Sequence, residues 1–161
     1  MNRPKLYMLC GVPASGKSTW VGQNVKGGSV YVASTDNIIE AVAQLRGKTY
    51  SEVFSNTIKD AEKSMYTCVM EAVKDGFDIV WDQTNLNYKT RAKKLIMIPD
   101  HYEKIAVYFP VPDDLEKRLA SRPGKNIPWN IIQSMINSFE VPGEFEGFDR
   151  ICHAIKEECY V

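Results

Sequence analysis

Short apolar runs alternate with longer amphipathic stretches along nearly the whole chain. The runs Lys5–Cys10, Val30–Ser34, Asp78–Trp81 and Ile105–Phe109 are rich in β-branched and aromatic residues. Strands covered on both faces read this way, so each run predicts a buried strand. Between the runs, apolar positions recur at steps of three and four, the helical period. The clearest helix is Ser51–Lys74, where Phe54, Ile58, Ala61, Met65, Cys68, Val69 and Ala72 form one stripe. Asp75-Gly76 predicts its stop. A second helix is predicted from Pro128 to about Glu140, with Ile131, Ile132, Met135, Ile136 and Phe139 facing inward and proline suiting the first turn. Weaker patterns predict helices over Ser18–Val25, Asn37–Leu45, Tyr88–Ile96 and Asp113–Ser121. This alternation argues for an α/β fold of three layers, with a parallel sheet of about four or five strands. No repeat or linker divides the chain, so residues 1–161 are expected to form a single domain.

The turn after the first strand carries the strongest chemical signal. Gly11-Val12-Pro13-Ala14-Ser15-Gly16-Lys17-Ser18-Thr19 matches the phosphate-binding loop GxxxxGK[ST] without a gap. Such a loop turns successive backbone N–H groups inward on a triphosphate. Lys17 is placed to reach the β- and γ-phosphates, and the Ser18 hydroxyl to hold Mg²⁺. The strand–loop–helix setting makes the core a P-loop kinase fold of the nucleoside-kinase kind, taking ATP with Mg²⁺. Ligands in such sheets bind beyond the carboxyl ends of the strands. Residues 11–19, 34–36 and 82–87 are therefore expected to share one crevice.

Three groups of residues are candidates for chemistry there. Asp36 follows the second strand, where a carboxylate can take the proton of an attacking hydroxyl; an aspartate there is also a good helix cap. In Asp82-Gln83-Thr84-Asn85-Leu86-Asn87, Asp82 is a candidate for Mg²⁺, with Gln83 its rival for the strand-end role. Thr84 and Asn85 either orient a phosphate or acceptor or make local turn bonds, and Asn87 reads as a cap. Arg118 and Arg122, four apart at the end of the Asp113–Ser121 helix, should share a face. With the turn Pro123-Gly124-Lys125-Asn126 they predict a small helical lid over about residues 115–130. Its arginines would bind ATP phosphates and neutralise transition-state charge, or serve only as cations at a helix C-terminus. Arg91, Lys93 and Lys94 read as an exposed helix side, or else as a basic face near the crevice, and Tyr50 and Phe54 as packing residues that are also able to stack on a base.

Composition narrows the partners. The chain is 44% hydrophobic and 25% charged, and its formal net charge is zero. Six carboxylates against two cations in residues 140–161 leave the remainder modestly basic. A non-specific nucleic-acid coat needs more, so a nucleic-acid substrate would have to be held by a local patch. No apolar stretch approaches membrane-spanning length, so no membrane partner is expected. The four cysteines lack paired metal-ligand spacing and are expected to be reduced thiols. With the absence of a signal-like start, that predicts a cytoplasmic protein.

Taken together, the phosphate loop, Asp36, the Asp82–Asn87 string, the Arg118/Arg122 pair and the ending Phe139-Glu140-Val141-Pro142-Gly143-Glu144-Phe145-Glu146-Gly147-Phe148-Asp149 resemble the polynucleotide 5′-hydroxyl kinase family, phage-type enzymes included. The likeness covers about residues 5–152, the kinase domain alone. It implies that Lys17 and Ser18 bind ATP·Mg²⁺, that Asp36 is the general base, and that Arg122, with Arg118 beside it, grips the ATP phosphates from the lid. It also implies transfer of the γ-phosphate to the 5′-hydroxyl end of a nucleic acid. No DxDG[TV]-type motif is present, so no 3′-phosphatase chemistry is expected. One departure favours a rival small-molecule acceptor, a nucleoside, nucleotide or other metabolite. Family members carry an arginine shortly after the catalytic aspartate, and here none occurs before Arg46. A third reading is a non-catalytic ATP-binding module, against which Asp36 and the lid arginines count.

Overall fold

The computed structural model describes residues 2–156 and 158–160, the last three as backbone only. Six strands form one sheet in the order β2-β3-β1-β4-β5-β6. They are β1 (Lys5–Cys10), β2 (Val30–Ala33), β3 (Asp78–Trp81), β4 (Glu103–Tyr108), β5 (Arg150–His153) and β6 (Glu158–Tyr160). The first five run parallel and β6 is antiparallel to β5. Side chains of β1 alternate between two cores, as the period of a strand demands. Leu6, Met8 and Cys10 join Met65, Val69 and Trp81 on one face. Leu9 joins Val80, Val107 and Phe109 on the other, with Trp20 and Val21 against them.

Six α-helices flank the sheet and cover its upper rim. They are α1 (Lys17–Asn24), α2 (Thr35–Arg46), α3 (Tyr50–Lys74), α4 (Tyr88–Leu95), α5 (Leu115–Ala120) and α6 (Trp129–Ser138). A capping box at Thr49 and Glu52 starts α3. Asp75-Gly76 ends it with the Phe77 N–H on the Ala72 carbonyl at 2.9 Å. Along this helix the buried stripe differs from the periodic expectation. Val53 and Thr57 face inward, whereas Phe54 is 39% exposed. The first turns of α3 pack on Ile39 and Ala43 of α2, and only the later turns reach the sheet. The inward direction therefore rotates along the helix. In α6, Ile132 is buried, but Trp129 and Ile131 are each 44% exposed, because the helix covers only the rim.

Two other expectations are corrected. The charged C-terminal segment, which carries no strand signal, supplies β5 and β6. Cys152 is disulfide-bonded, against the expectation of four reduced thiols, while Cys10 and Cys68 are free. The antiparallel ladder sets the Cα atoms of Cys152 and Cys159 opposite each other, a register that spacing alone does not reveal.

Candidate phosphate-transfer site

The carboxyl end of β1 lies between β3 and β4, and the phosphate loop springs from it. The Gly11 N–H donates to the Thr84 carbonyl at 2.9 Å, tying the loop to the turn after β3. A Cβ at Gly11 would stand 2.5 Å from Ser15 Oγ and 2.8 Å from Phe109 Cβ, so only glycine fits. Ala14 and Gly16 take positive φ angles, 63° and 108°. Alternation of hand of this sort turns N–H groups toward one point. Those at the start of α1 also lack intrahelical acceptors. Val12 is buried, packed with Leu115 of α5 and Ile132 of α6. Pro13 is half-buried, and Ser18 and Thr19 are exposed at the mouth of the loop.

Lys17 Nζ donates to the carbonyls of Gly11, at 2.9 Å, and Val12, at 2.8 Å. Burial pushes its ammonium down to about 8, with Asp82 and then Asp36 pulling the other way and Arg122 adding to the fall. Three groups chosen from separate segments thus act on this lysine. Asp82 is half-buried. Burial raises its carboxyl above the usual range, and the charge of Lys17 opposes that.

Asp36 is exposed in the first turn of α2, and the cap is Ser34, whose side chain accepts from the Asn37 N–H. The carboxylate is thus not committed to helix capping. Tyr50 Oη donates to Asp36 Oδ1 at 2.5 Å. Lys125 Nζ lies 4.0 Å from Asp36 Oδ2 and pairs closely with Glu40. Tyr50 was read from the pattern as packing or as a stacking ring. The Thr49/Glu52 box marks it as a first helical residue, but no local signal reveals its target.

The two arginines do not share a helix face, because α5 ends at Ala120. Arg118 pairs with Asp114 at 2.8 Å and donates from Nη1 to the Ala14 carbonyl at 3.4 Å. Arg122 lies beyond the helix, and its Nη1 is buried with no hydrogen-bond partner among the described residues, as is Ser15 Oγ in the loop. A cavity of about 400 Å³ opens beside Ser15, between Pro110, Asp113, Arg118 and Ile155.

The remaining sequence candidates hold the site together. Asn85, at a positive φ of 45°, is buried. Its Nδ2 donates to the carbonyls of Leu9 at 2.7 Å, Gln83 at 3.2 Å and Trp81 at 3.3 Å. That commits it to the backbone rather than to a ligand. Asn87 caps α4 by accepting from the Thr90 N–H. Gln83 accepts from Trp81 Nε1 and Lys94 Nζ and donates to Thr35 Oγ1 at 3.1 Å, bracing the residue before Asp36. Arg91 and Lys94 are buried, not exposed as the helix pattern suggested. Lys94 also donates to Asn85 Oδ1, and Arg91 Nε donates to Glu146 Oε1 at 2.9 Å. Arg91 further donates to the carbonyls of Asn85 and Glu140, so the C-terminal segment is locked onto the turn after β3.

This parallel sheet order, with the phosphate loop springing from β1, defines a P-loop kinase fold. The chain belongs to the AAA domain family, whose model matches residues 6–142. An L-seryl-tRNA(Sec) kinase of Methanococcus maripaludis is 26% identical over 148 residues, 89% of this chain and 56% of that protein. The chain thus spans little more than half the length of that relative. Among solved structures, the PezAT chromosomal toxin-antitoxin system of Streptococcus pneumoniae superposes with a TM-score of 0.68 at 16% identity, over 100% of this chain and 71% of that one. The Pnkp1/Rnl/Hen1 RNA repair complex superposes with a TM-score of 0.66 at 20% identity, over 86% and 44%. No helix among the described residues is long and apolar enough to cross a membrane.

Proposed function

We propose that this chain is an ATP-dependent kinase domain that transfers the γ-phosphate to a hydroxyl, with the 5′-hydroxyl of a polynucleotide as the acceptor. The observation that carries the transfer reading is the pairing of opposites at one crevice. Lys17 of the phosphate loop feels the charges of Asp36, a carboxylate outside any cap, and of Arg122, whose buried Nη1 has no partner among the described residues. An unpartnered buried donor costs about 1–3 kcal/mol, so an anion there is strongly favoured. Ser15 Oγ and the left-handed turn at Ala14 and Gly16 fit the same triphosphate.

Ser18 and Asp82 are the residues that would hold Mg²⁺, which when bound would neutralise phosphate charge. Lys17 exchanges its two loop carbonyls for phosphate oxygens. Arg122 and Arg118 gather phosphate charge from the lid side, and the lid excludes water. Asp36 receives the proton of the acceptor hydroxyl at Oδ2, the oxygen that Tyr50 leaves free. Such a loose transition state asks the protein mainly for alignment and charge.

The acceptor rests on the resemblance and on two relatives tied by name to RNA, a tRNA-linked serine kinase and an RNA repair complex. A nucleoside or other small acceptor is favoured instead by the zero net charge and by the stretch 37–45, which holds no arginine. The test is to supply γ-labelled ATP with 5′-hydroxyl RNA, 5′-hydroxyl DNA, nucleosides and nucleoside monophosphates. Label on an oligonucleotide, weakening steeply with salt, supports the polynucleotide; label on a nucleoside alone overturns it. Asp36→Asn should abolish transfer and spare ATP binding, and transfer at the wild-type rate would remove Asp36 as base.

A further inference from the structure

Tyr50 sits where the lid and the carboxylate meet. Its hydroxyl reaches Asp36 Oδ1 at 2.5 Å. Its ring lies beneath the lid's Lys125, with Nζ 4.8 Å from the ring centroid. The same lysine faces Asp36 Oδ2 and pairs with Glu40. The residues next to Tyr50 hold the lid by its backbone. The Ser51 N–H donates to the Gly124 carbonyl at 3.1 Å, and the Asn126 N–H donates to Ser51 Oγ at 3.1 Å. A Cβ at Gly124 would meet Thr49 Cβ at 3.1 Å, so the turn is seated closely on the start of α3. The turn between Arg122 and Ile127 is docked on that helix. Arg122 immediately precedes it, with Nη1 buried and lacking a hydrogen-bond partner among the described residues.

We infer that Tyr50 is a positioning residue that couples lid closure to the orientation of Asp36. With the lid down, Lys125 covers the ring and Ser51 clasps Gly124 and Asn126. The hydroxyl then pins Oδ1, and Lys125 Nζ, closely paired with Glu40, stays 4.0 Å from Oδ2, which takes the acceptor. With the lid up, the ring loses its cover and the carboxylate its fixed direction. The base is therefore aligned only when Arg122 is on the phosphates, which protects ATP from water until closure. This inference rests on the proposed role of Asp36.

The experiment compares wild type, Tyr50→Phe, Lys125→Met and the double variant by γ-phosphate transfer to the acceptor found above. Where no acceptor takes label, release of phosphate to water is followed instead. Tyr50→Phe keeps the ring and loses only the hydroxyl. It is expected to lower kcat about 10- to 100-fold, the usual loss when an orienting partner is removed, with ATP affinity unchanged. Lys125→Met should act through the same link, so the double variant is expected to fall well short of the product of the single losses. Hydrogen exchange at the Ser51 and Asn126 amides checks the fold and the lid. Protection should persist in Tyr50→Phe and drop in Lys125→Met. Wild-type kcat in Tyr50→Phe, or losses that multiply, overturns the coupling. Asp36→Asn separates the two readings. If it is inactive while Tyr50→Phe is normal, only the coupling fails. If it is active, the base assignment fails and the coupling with it. Absence of transfer to any acceptor, water included, overturns both.

Discussion

At the scale of single residues, the site is built from groups whose usual bonds are withheld. Arg122 Nη1 and Ser15 Oγ are buried without partners among the described residues, and Lys17 is confined where burial works against its charge. Each costs folding energy and is relieved by an anion. Arg122→Met should therefore separate stability from function. The ligand-free variant is expected to melt at or above the wild-type temperature, since an unsatisfied buried donor is gone. Its ATP-induced rise in melting temperature should shrink, and its transfer rate should fall more than ~10²-fold, as for loss of an electrostatic stabiliser. A lower melting temperature without ATP, with normal transfer, would make Arg122 structural. Lys17→Ala is expected to lose comparable rate. These residues were legible because GxxxxGK[ST] is contiguous and the lid arginines lie close in the chain. Arg122 was reached by the wrong route, however, since α5 ends before it.

At the scale of elements, the decisive contacts join segments that share no pattern. Arg91 on α4 reads as a solvated cation by sequence, yet it is wholly buried against Glu146. It joins the turn after β3 to the chain that leads into β5. Breaking a buried pair from one side leaves a stranded charge. Arg91→Met should therefore cost about 3–5 kcal/mol in urea unfolding. Adding Glu146→Gln should recover part of that loss, and a double variant no better than Arg91→Met would show that the carbonyl bonds dominate. The stripe on α3 teaches the same point. Period alone placed Phe54 inward, but α3 changes partner from α2 to the sheet, and the buried set shifts to Val53 and Thr57. The sequence showed that α3 is a helix, and its neighbours fixed the face.

At the scale of the molecule, buried ionisable groups set how stability answers to pH. Burial pushes both Lys17 and Lys94 from 10.5 down to about 8. Below pH 8 both states hold these protons. Above it the unfolded chain keeps protons that the folded chain has released, so stability rises with pH. Burial pushes the Cys10 thiol from 9.0 up to about 12. Above pH 9 the unfolded thiol loses a proton that the folded one retains, which offsets part of the rise from the two lysines. Urea midpoints measured just below pH 8 and just below pH 9 should therefore increase. Lys94→Met should remove about half of that increase, and a flat wild-type profile would contradict the burial of the lysines.

By itself the sequence determined what is local or periodic. Strand and helix alternation followed from hydrophobic spacing, and the phosphate loop from a contiguous string whose ligands are its own backbone. The position of Asp36 at a strand tip followed from the topology those strands imply. Tertiary structure alone decided which side chains meet. Tyr50 finds Asp36 across fourteen residues, and Arg91 finds Glu146 across fifty-five. Periodicity reports which face of an element is apolar. It carries no record of which polar group on another element will lie opposite, because that depends on how the packed layers bring distant segments together.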